Sequence, residues 1–355
     1  MTVSAPSKPR HVAIVWHGLP AYAAHLIRAA LDRHHGGLRI DLVGTRPSVP
    51  IEGMEDILGR SVNWLDDAET PVEWGQIGLE VPQIVIHTGW AYPAFNALAA
   101  QVRARGGRVV SIVDNNYKGN VRQFVGAYVY RFKYRKHHDA VWVPGASGRR
   151  LMRAFGQPDN CIYEGIYGAT PKTFFPGPAL DERPKQLLFV GQMIERKGVD
   201  LLAEAFAQFH ARHPQWQLHA FGRGPLAQQL EGKPGIVLED FQQPVRIADE
   251  MRQARALVLP SLEDHWPLVV HESVSCGCAL ACTRTIGCTV DFLTEKNGVS
   301  YAPGSSASLL EALEKLAGWS EDRWRQAGEE SLQLAQGYGP ERFASVFTEI
   351  IERLA

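Results

Sequence analysis

Short apolar runs alternate with longer amphipathic stretches along this chain, and this alternation constrains its fold more than any other feature. Runs such as Ile84-Val85-Ile86 are apolar on both faces, which is typical of parallel strands covered by helices on each side. The alternation extends from residue 11 to 143 and is repeated from 186 to 281. The pattern therefore predicts an α/β protein with two doubly wound, Rossmann-like units.

Prolines recur between residues 167 and 183, where the alternation is interrupted, so we expect an interdomain linker there. We predict an N-terminal domain over 1–173 and a C-terminal domain over 174–335. Residues 336–355 should contain an amphipathic helix that can pack back on the N-terminal domain. Since ligands bind at the carboxyl ends of strands in open α/β sheets, two such domains facing each other would form an interdomain cleft.

Length and composition fit two globular domains and exclude several other classes of protein. The chain has 355 residues, of which 45% are hydrophobic and 21% are charged, and its formal net charge is -1. This balance argues against a nucleic-acid-binding protein. No apolar run approaches the ~20 residues that span a bilayer. The polar start lacks the pattern of a signal peptide, so we expect a cytoplasmic protein with reduced cysteines.

The segment 260–277 carries the most chemical information. Asp264 is expected in the loop that follows an apolar strand, and Glu272 on the helix after that loop, so both carboxylates can face one pocket. A carboxylate can accept hydrogen bonds from two neighbouring hydroxyls of a ribose or a pyranose. The junction between loop and helix offers free N–H groups and a positive dipole end, which suit a diphosphate.

This segment resembles the donor-binding motif of glycosyltransferase family 4, a large family of retaining enzymes with the GT-B fold. Two glycine-containing segments, 191–200 and 222–226, also fit the family pattern, and each follows an expected strand. Gly287 and the pair Asn297-Gly298 fit the pattern further along. The resemblance is specific over about 185–316 and architectural in the N-terminal half. It implies a GT-B fold and transfer of a sugar from a nucleotide sugar.

The resemblance also implies roles for individual residues. Asp264 would contact the transferred sugar, Glu272 would bind the ribose, and Lys197 would hold the diphosphate. We predict these three residues, together with Asp114, as the catalytic set. The other expected donor contacts are Gly18, Gln192, Arg196, Gly222, Phe241, His265, Trp266, Pro267 and Leu268. No metal or other cofactor is expected, because members of the family generally work without a catalytic metal.

Three positions depart from the family pattern. Asp264 stands where the family usually has Glu, so its loop would have to lie closer to the sugar. Pro267 replaces a usual Gly and removes one N–H donor, for which His265 or Trp266 could compensate. Gln192 stands where the family often has an Arg that clamps the diphosphate. Arg196 and Lys197 could share that task, although Arg196 is equally well interpreted as a surface residue.

The N-terminal half is expected to bind the acceptor. Asp114 and Asn115 follow a predicted strand and occupy the place where relatives often have a His near the reacting hydroxyl. Helix capping and turn formation are an equally good interpretation of this pair. The segment 87–90 is a second polar cluster at the end of a strand.

The stretch 118–153 holds nine Lys or Arg residues and one acidic residue, with aromatic residues between them. Tyr128 and Phe132 would share a helix face, as would Arg131 and Arg135, which indicates mixed stripes and no clean apolar face. A solvated surface is one interpretation. Peripheral contact with a membrane is the one we favour, because the resemblance implies lipid-linked acceptors.

Four of the five cysteines lie close together in the sequence, at Cys276, Cys278, Cys282 and Cys288. Their spacing lacks the paired C-x-x-C of structural zinc sites. We therefore interpret them as buried thiols and predict no metal site.

We thus predict a retaining glycosyltransferase that acts on a glycan or lipid-linked acceptor at the inner face of the cytoplasmic membrane. A role in the synthesis of surface polysaccharide, lipopolysaccharide or glycolipid is expected. The three departures leave open a partner protein of the same fold that binds nucleotide sugars without catalysis. A GT-B epimerase or phosphorylase would need a different carboxylate pattern or a lysine for pyridoxal phosphate.

Overall fold

The computed structural model describes residues 10–34, 36–47 and 54–354. The chain forms two compact units: the first ends at Tyr167 and is completed by the residues from Gly339 onward, and the second extends from Gly168 to Tyr338. The boundaries predicted at 173/174 and 335/336 lie a few residues away from these divisions. The polar start of the chain, where no signal peptide is expected, lies outside the described residues up to residue 9.

The first unit is built on a seven-stranded sheet with the order β3-β2-β1-β4-β5-β6-β7. Its strands are β1 (Arg10–Trp16), β2 (Leu38–Thr45), β3 (Asn63–Leu65), β4 (Ile84–Thr88), β5 (Arg108–Ile112), β6 (Ala140–Val143) and β7 (Ile162–Glu164). All neighbouring strands are parallel. The alternation predicted all of them except β3 and β7, whose three residues are too few to form a recognisable apolar run.

Helices cover both faces of this sheet, which explains why its central strands are apolar throughout. Ile84 and Ile86 belong to one buried cluster, whereas Val85 between them belongs to another on the opposite face. The helices are α1 (Ala21–Arg33), α2 (Met54–Leu58), α3 (Pro93–Ala104), α4 (Val121–Val129) and α5 (Ala146–Ala154). A π-helical turn, Tyr130–Tyr134, directly follows α4.

The second unit is built on a six-stranded sheet with the order β10-β9-β8-β11-β12-β13. Its strands are β8 (Gln186–Val190), β9 (Gln217–Phe221), β10 (Ile236–Glu239), β11 (Ala256–Leu259), β12 (Ala279–Thr283) and β13 (Gly298–Tyr301), all parallel to their neighbours. Its helices are α6 (Val199–Arg212), α7 (Pro244–Gln253), α8 (Leu268–Ser275), α9 (Thr289–Phe292), α10 (Ser306–Ala317) and α11 (Glu321–Ala335). The pattern predicted every strand but β13. The sheet reverses its order between β8 and β11, the position at which such folds bind ligands.

The last helix, α12 (Pro340–Leu354), forms as the amphipathic pattern predicts and packs in the first unit. Phe343, Phe347 and Ile350 are buried in the same cluster as Leu26 and Ile27 of α1. Among the helices of the described ranges, none combines the length and the apolarity that crossing a bilayer requires.

Candidate functional site

Two loops at the carboxyl edge of the C-terminal sheet bring predicted site residues together. One loop follows β8 and carries Lys197, and the other follows the neighbouring strand β11 and carries Asp264. Lys197 Nζ forms an ion pair with Asp264 Oδ2, and only 12% and 13% of the two side chains are exposed. Arg196 Nη1 lies 3.7 Å from the same carboxylate oxygen. The predicted cation and the first predicted acid therefore form one cluster.

Backbone hydrogen bonds hold this cluster in place. The N–H of Leu262 donates to the carbonyl of Arg196 at 2.9 Å, and Arg196 Nη1 donates to the carbonyl of Glu263 at 3.0 Å. On the other side, the N–H of Gly287 donates to the carbonyl of Asp264 at 2.9 Å. Asp264 is thus held between two other segments of the unit, which reduces the entropy lost when a ligand binds.

The motif glycines permit close approach of one backbone to another. Gly198 has a φ of +66°, and a Cβ there would lie 2.3 Å from the carbonyl oxygen of Pro260. A Cβ on Gly222 would lie 1.8 Å from the carbonyl oxygen of Gly191, and its φ of +148° is rare for any other residue. These glycines therefore pack the loops after β8, β9 and β11 against one another.

Glu272 lies on α8, beside this cluster in sequence, and is half-buried. Its carboxylate has no hydrogen-bond or ion-pair partner among the described residues. Burial raises the pKa of Glu272 to about 7. A partly desolvated carboxylate without a partner is costly for the folded state and is available to accept hydrogen bonds from a ligand.

The start of α8 contains Pro267, one of the three positions that depart from the family pattern, and follows His265 and Trp266. Pro267 occupies the N-cap position, and no side chain of the described residues caps the helix. The ring of Trp266 packs against Phe292 and Tyr338, at 5.6 Å between centroids in both pairs. Trp266 is therefore used in packing, whereas His265 is half-buried and its Nε2 lies 3.4 Å from a carboxylate oxygen of Glu263.

The remaining predicted donor contacts lie along the same edge of the sheet. Gln192, Gly222 and Phe241 follow β8, β9 and β10, three consecutive strands. Gln192 and Phe241 are exposed, and Leu268, the first residue of α8, is half-buried. The structure thus distributes the predicted contacts over one continuous edge of the C-terminal sheet.

His271 is a residue of this site that the sequence did not indicate. Its Nδ1 accepts a hydrogen bond from the N–H of Ala169 at 2.8 Å, and its Nε2 lies 3.0 Å from the carbonyl oxygen of Ala335. Burial lowers the pKa of His271 to about 4, so the ring is neutral and Nε2 donates. The imidazole holds α8 in place and hence positions its neighbour Glu272. A single histidine in an apolar run carries no signal for such a role.

The N-terminal unit contains a cavity of about 400 Å³ at the carboxyl ends of β1, β4 and β5. Two predicted site residues, Gly18 and Asp114, line it. Their convergence follows from the topology, because these three strands are neighbours in the sheet. Aromatic side chains supply much of the rest of the lining: Trp16, Tyr22, Trp90, Tyr92 and Tyr167.

One of these tyrosines, Tyr167, forms a hydrogen bond with Asp114 that the sequence did not indicate, and it also contacts Tyr22. Tyr167 Oη donates to Asp114 Oδ2 at 3.4 Å, and its ring lies 5.6 Å from that of Tyr22 in an edge-to-face arrangement. Burial, with Asp114 nearby, raises the pKa of Tyr22 to about 12, and burial raises that of Tyr167 well above its usual value. Both hydroxyls therefore remain protonated at neutral pH.

The loop after β1 contains Gly18, which was predicted to contact the nucleotide-sugar donor, and its N–H groups are engaged in hydrogen bonds within the unit. The N–H of Gly18 donates to Thr45 Oγ1 at 2.7 Å, and that of His17 donates to Thr88 Oγ1 at 2.8 Å. The N–H of Leu19 donates to the carbonyl of Thr45. Because these groups are engaged, Gly18 cannot present its N–H to a donor phosphate in this arrangement.

Helix α4 and the turn after it expose an apolar stripe, which we define as Val121, Phe124, Val125, Tyr128, Val129 and Phe132. These residues recur at helical spacings of three and four, and between 46% and 79% of each is exposed. No residue of α4, which the structure describes in full, is buried. The expectation of mixed stripes without a clean apolar face is therefore wrong, because it considered only the last part of this surface.

The four clustered cysteines are all buried and unpaired. Burial raises the pKa of Cys282 to about 12 and that of Cys288 well above its usual value, so the thiols stay protonated. Among the described residues, no group of three or more His, Cys, Asp or Glu side chains is arranged to hold a metal ion.

Residues 172–330 match the family described as glycosyl transferases group 1. This match lies within the C-terminal unit and includes the loops described above. One curated relative is an exopolysaccharide phosphotransferase of Streptomyces coelicolor, 28% identical over 60% of this chain and 22% of that protein. Another is the N,N'-diacetylbacillosaminyl-diphospho-undecaprenol α-1,3-N-acetylgalactosaminyltransferase of Campylobacter jejuni, 20% identical over 68% of each chain. The chain thus spans about a fifth of the first relative's length.

Solved structures resemble the chain over nearly its whole length. A glycosyltransferase from Rickettsia africae has a TM-score of 0.75 at 12% identity and is matched over 98% of this chain and 99% of its own. The Anabaena protein HepE, solved with UDP and glucose, has a TM-score of 0.73 at 12% identity, covering 97% and 99%. At such identities the likeness establishes the fold, and the GT-B prediction is confirmed.

Proposed function

We propose, from the match of residues 172–330 to group 1 glycosyl transferases, that the protein transfers a sugar from a nucleotide sugar to an acceptor hydroxyl with retention of configuration. The observation that carries the proposal is the cluster of Lys197 and Asp264 on neighbouring loops, with Glu272, whose carboxylate has no partner among the described residues, on the helix after the second loop. This cluster supplies a cation for a diphosphate and two acids for hydroxyl groups.

On the donor side, Lys197 and Arg196 would bind the diphosphate together with the uncapped start of α8. In the free protein Asp264 neutralises Lys197, and this ion pair keeps the ammonium group in position. A bound diphosphate would compete for the lysine and free the carboxylate of Asp264 to accept hydrogen bonds from the sugar. Glu272 would accept hydrogen bonds from the ribose.

The transfer needs no protein base in this proposal. As the bond between the sugar and the diphosphate breaks, negative charge grows on the leaving phosphate, and nearby cations stabilise it. The leaving phosphate takes the proton from the acceptor hydroxyl as that oxygen bonds to the same face of the sugar. We also propose that no metal ion is required.

A panel of nucleotide sugars tests the proposal. We expect one of them to raise the melting temperature of the full chain and to be turned over, at least by slow hydrolysis. NMR of the product formed with an acceptor would show whether the anomeric configuration is retained. Glu272→Gln should weaken nucleotide binding, whereas Glu204→Gln, an exposed carboxylate on α6, should not. Binding without turnover across the panel would support the alternative of a non-catalytic partner protein.

We further propose that the apolar stripe docks on a membrane surface. The stripe lies in the basic stretch 118–153, so its charge complements that of anionic lipids, and exposed rings can enter the interface between headgroups and acyl chains. This location would bring the enzyme to glycan or lipid-linked acceptors at the inner face of the cytoplasmic membrane. The similarity to the Streptomyces exopolysaccharide phosphotransferase and the Campylobacter N-acetylgalactosaminyltransferase supports a role in cell-surface polysaccharide or glycolipid synthesis.

Vesicle sedimentation tests the docking surface. The full chain should sediment with phosphatidylglycerol vesicles and much less with phosphatidylcholine vesicles, and added salt should release it. Replacing Phe124 and Phe132 with Ser should reduce binding without lowering the melting temperature, because both rings are exposed. Val290→Ser, which alters an exposed apolar residue of the other unit, is the matched control. Equal vesicle binding by the wild type and by the variant with Ser at positions 124 and 132 would contradict the proposal.

A further inference from the structure

We infer that the cavity of the N-terminal unit accepts an uncharged sugar ring and rejects a phosphorylated one. The inference rests on the proposed function, which makes this cavity the acceptor side, and names the class of acceptor. Three properties of the cavity carry it: its size and aromatic lining, the sign of its charge, and the state of its hydrogen-bonding groups.

Size and lining suit one small hydroxylated ring. The cavity of about 400 Å³ lies near the lower end of the roughly 300–1,000 Å³ that is usual for small-molecule sites. Trp90 and Tyr92 line it, and each of the two rings is held by stacking on another ring. Tyr92 stacks on His17 at 4.2 Å between centroids, and Trp90 stacks on Tyr134 at 5.7 Å. Held rings offer apolar faces to the C–H groups of a sugar at little cost in entropy.

The charge of the cavity opposes a phosphate. Asp114 is the acid among its lining residues, and none of the described lining residues is Lys or Arg. Partial burial lowers the pKa of His17, so its ring is neutral at pH 7, although Glu69 nearby acts in the opposite direction. A phosphate group in this cavity would meet a carboxylate without a compensating cation, which is unfavourable at short range.

The hydrogen-bonding groups of the cavity match hydroxyls. Tyr22 keeps its O–H at neutral pH, Tyr167 donates to Asp114, whose carboxylate can also accept from a ligand, and Asn115 can donate and accept. Of the backbone donors along the cavity, the N–H groups of His17 and Gly18 donate to Thr88 and Thr45, and that of Gly89 donates to the carbonyl of Ile112. A neutral polyol can satisfy these groups, whereas a phosphate finds few donors and one repelling charge.

Ligand-observed NMR on the full chain tests the inference. The probes are methyl glycosides of glucose, galactose, mannose and N-acetylglucosamine, each with its 6-phosphate. They are measured with saturating UDP, which serves as the probe of the proposed nucleotide site because HepE was solved with it. We expect saturation transfer to at least one neutral glycoside and at least about tenfold weaker binding of its 6-phosphate. Asp114→Lys should remove or reverse this preference. Asp56→Lys, which makes the same charge change at an exposed residue of α2, should preserve it.

The inference is overturned if no neutral glycoside binds, if a 6-phosphate binds as tightly as its parent, or if Asp56→Lys alters the preference as much as Asp114→Lys. Failure of the proposed function has a different signature. In that case the neutral glycosides would still bind with the same preference, while no nucleotide sugar is turned over by the protein.

Discussion

The two units share one architecture and differ at the carboxyl edge of their sheets. In the N-terminal unit this edge forms a cavity of aromatic rings with Asp114, and the N–H groups of its first loop are engaged. In the C-terminal unit the same edge is formed by closely packed loops on which Arg196 and Lys197 contact Asp264, and α8 carries Glu272, which has no partner among the described residues. We conclude that the loops at the carboxyl edge, and chiefly their charged residues, determine whether a unit of this architecture suits the donor or the acceptor.

Loop packing accounts for much of this difference. In the C-terminal unit, Gly198 and Gly222 allow neighbouring backbones to touch, so the loops form a dense edge on which charged side chains are held. In the N-terminal unit, a Cβ on Gly18 would meet its nearest neighbour only at 4.0 Å, and the loops leave an open cavity. A dense edge that holds Arg196 and Lys197 in place suits a diphosphate, and an open aromatic cavity suits a sugar ring.

The largest effect is expected from Gly222→Ala. The new Cβ would overlap the carbonyl oxygen of Gly191, so the loops after β8 and β9 must separate. We expect the free energy of unfolding to fall by more than about 2 kcal/mol and UDP binding to be lost. Chemical denaturation and calorimetry would measure both effects.

Gly318→Ala is the control for this change, because Gly318 has ordinary backbone angles and a Cβ there would have normal contacts. If Gly222→Ala folds and binds UDP as the wild type does, the dense edge is not a requirement of the C-terminal site.

The next largest effect is expected from Lys197→Met. The variant removes the cation of the proposed diphosphate site and leaves Asp264 without its closest partner. We expect kcat to fall by roughly 10²–10³-fold, since the lost charge acts on the leaving group. Lys197→Arg should restore part of the activity, and Lys172→Met, at an exposed position of the same unit, should have no effect. An unchanged kcat in Lys197→Met would show that a group other than Lys197 stabilises the leaving diphosphate.

A smaller and pH-dependent effect is expected from Glu272→Gln. The pKa of Glu272 in the folded protein is about 7, above its ordinary value of 4.5, because burial disfavours the charge. The folded state is therefore destabilised as the pH rises from about 4.5 through 7. Relative to the wild type, the variant should gain up to about 1–3 kcal/mol in unfolding free energy above pH 7 and nothing near pH 4.

Nucleotide binding should show the opposite trend. In the wild type, UDP affinity should rise between pH 6 and 8 as the carboxylate ionises and accepts the ribose hydroxyls. In Glu272→Gln it should be about tenfold weaker at pH 8 and nearly independent of pH over this range. Titration calorimetry at several pH values measures this, and an unchanged profile in the variant would exclude Glu272 from the nucleotide site.

The smallest effect is expected from Tyr167→Phe, which removes one hydroxyl from the N-terminal cavity. Its hydrogen bond to Asp114 is long, at 3.4 Å, so we expect the KM for the acceptor to rise by about two- to tenfold. UDP affinity should stay unchanged, because the other unit is proposed to bind it. If Tyr167→Phe changes the affinity for UDP and leaves the KM for the acceptor unchanged, the proposed division of roles between the two units is wrong.

Much of the fold could be predicted because it depends on local patterns. Apolar runs mark buried strands, and ten of the thirteen strands of the described residues were predicted in this way. The strands β3, β7 and β13 have three or four residues each, and β13 also contains a glycine and a serine, so no apolar run marks them. Short strands are recognised by their neighbours in the sheet, which a linear pattern does not contain.

The candidate site was predictable only in part, for a related reason. The spacing of Asp264 and Glu272 and the glycine motifs have a signal in sequence, because they follow strands at fixed distances. The contacts of His271 and Tyr167 join residues far apart in the chain and have no such signal. The use of the N–H of Gly18 by Thr45 is of the same kind.

The amino-acid sequence by itself determined the two alternating α/β units, the residues at the carboxyl edge of each sheet and the resemblance of 185–316 to a sugar-transferring family. Periodicity, turn residues and strand-end positions are local properties, so the linear order suffices for them. Only the tertiary structure decided which of these residues pair, which are buried and which surface α4 exposes. Lys197 meets Asp264, Glu272 has no partner among the described residues, and the apolar stripe faces outward. Pairing, desolvation and exposure depend on distances between segments remote in sequence, and these exist only once the sheets and helices have packed.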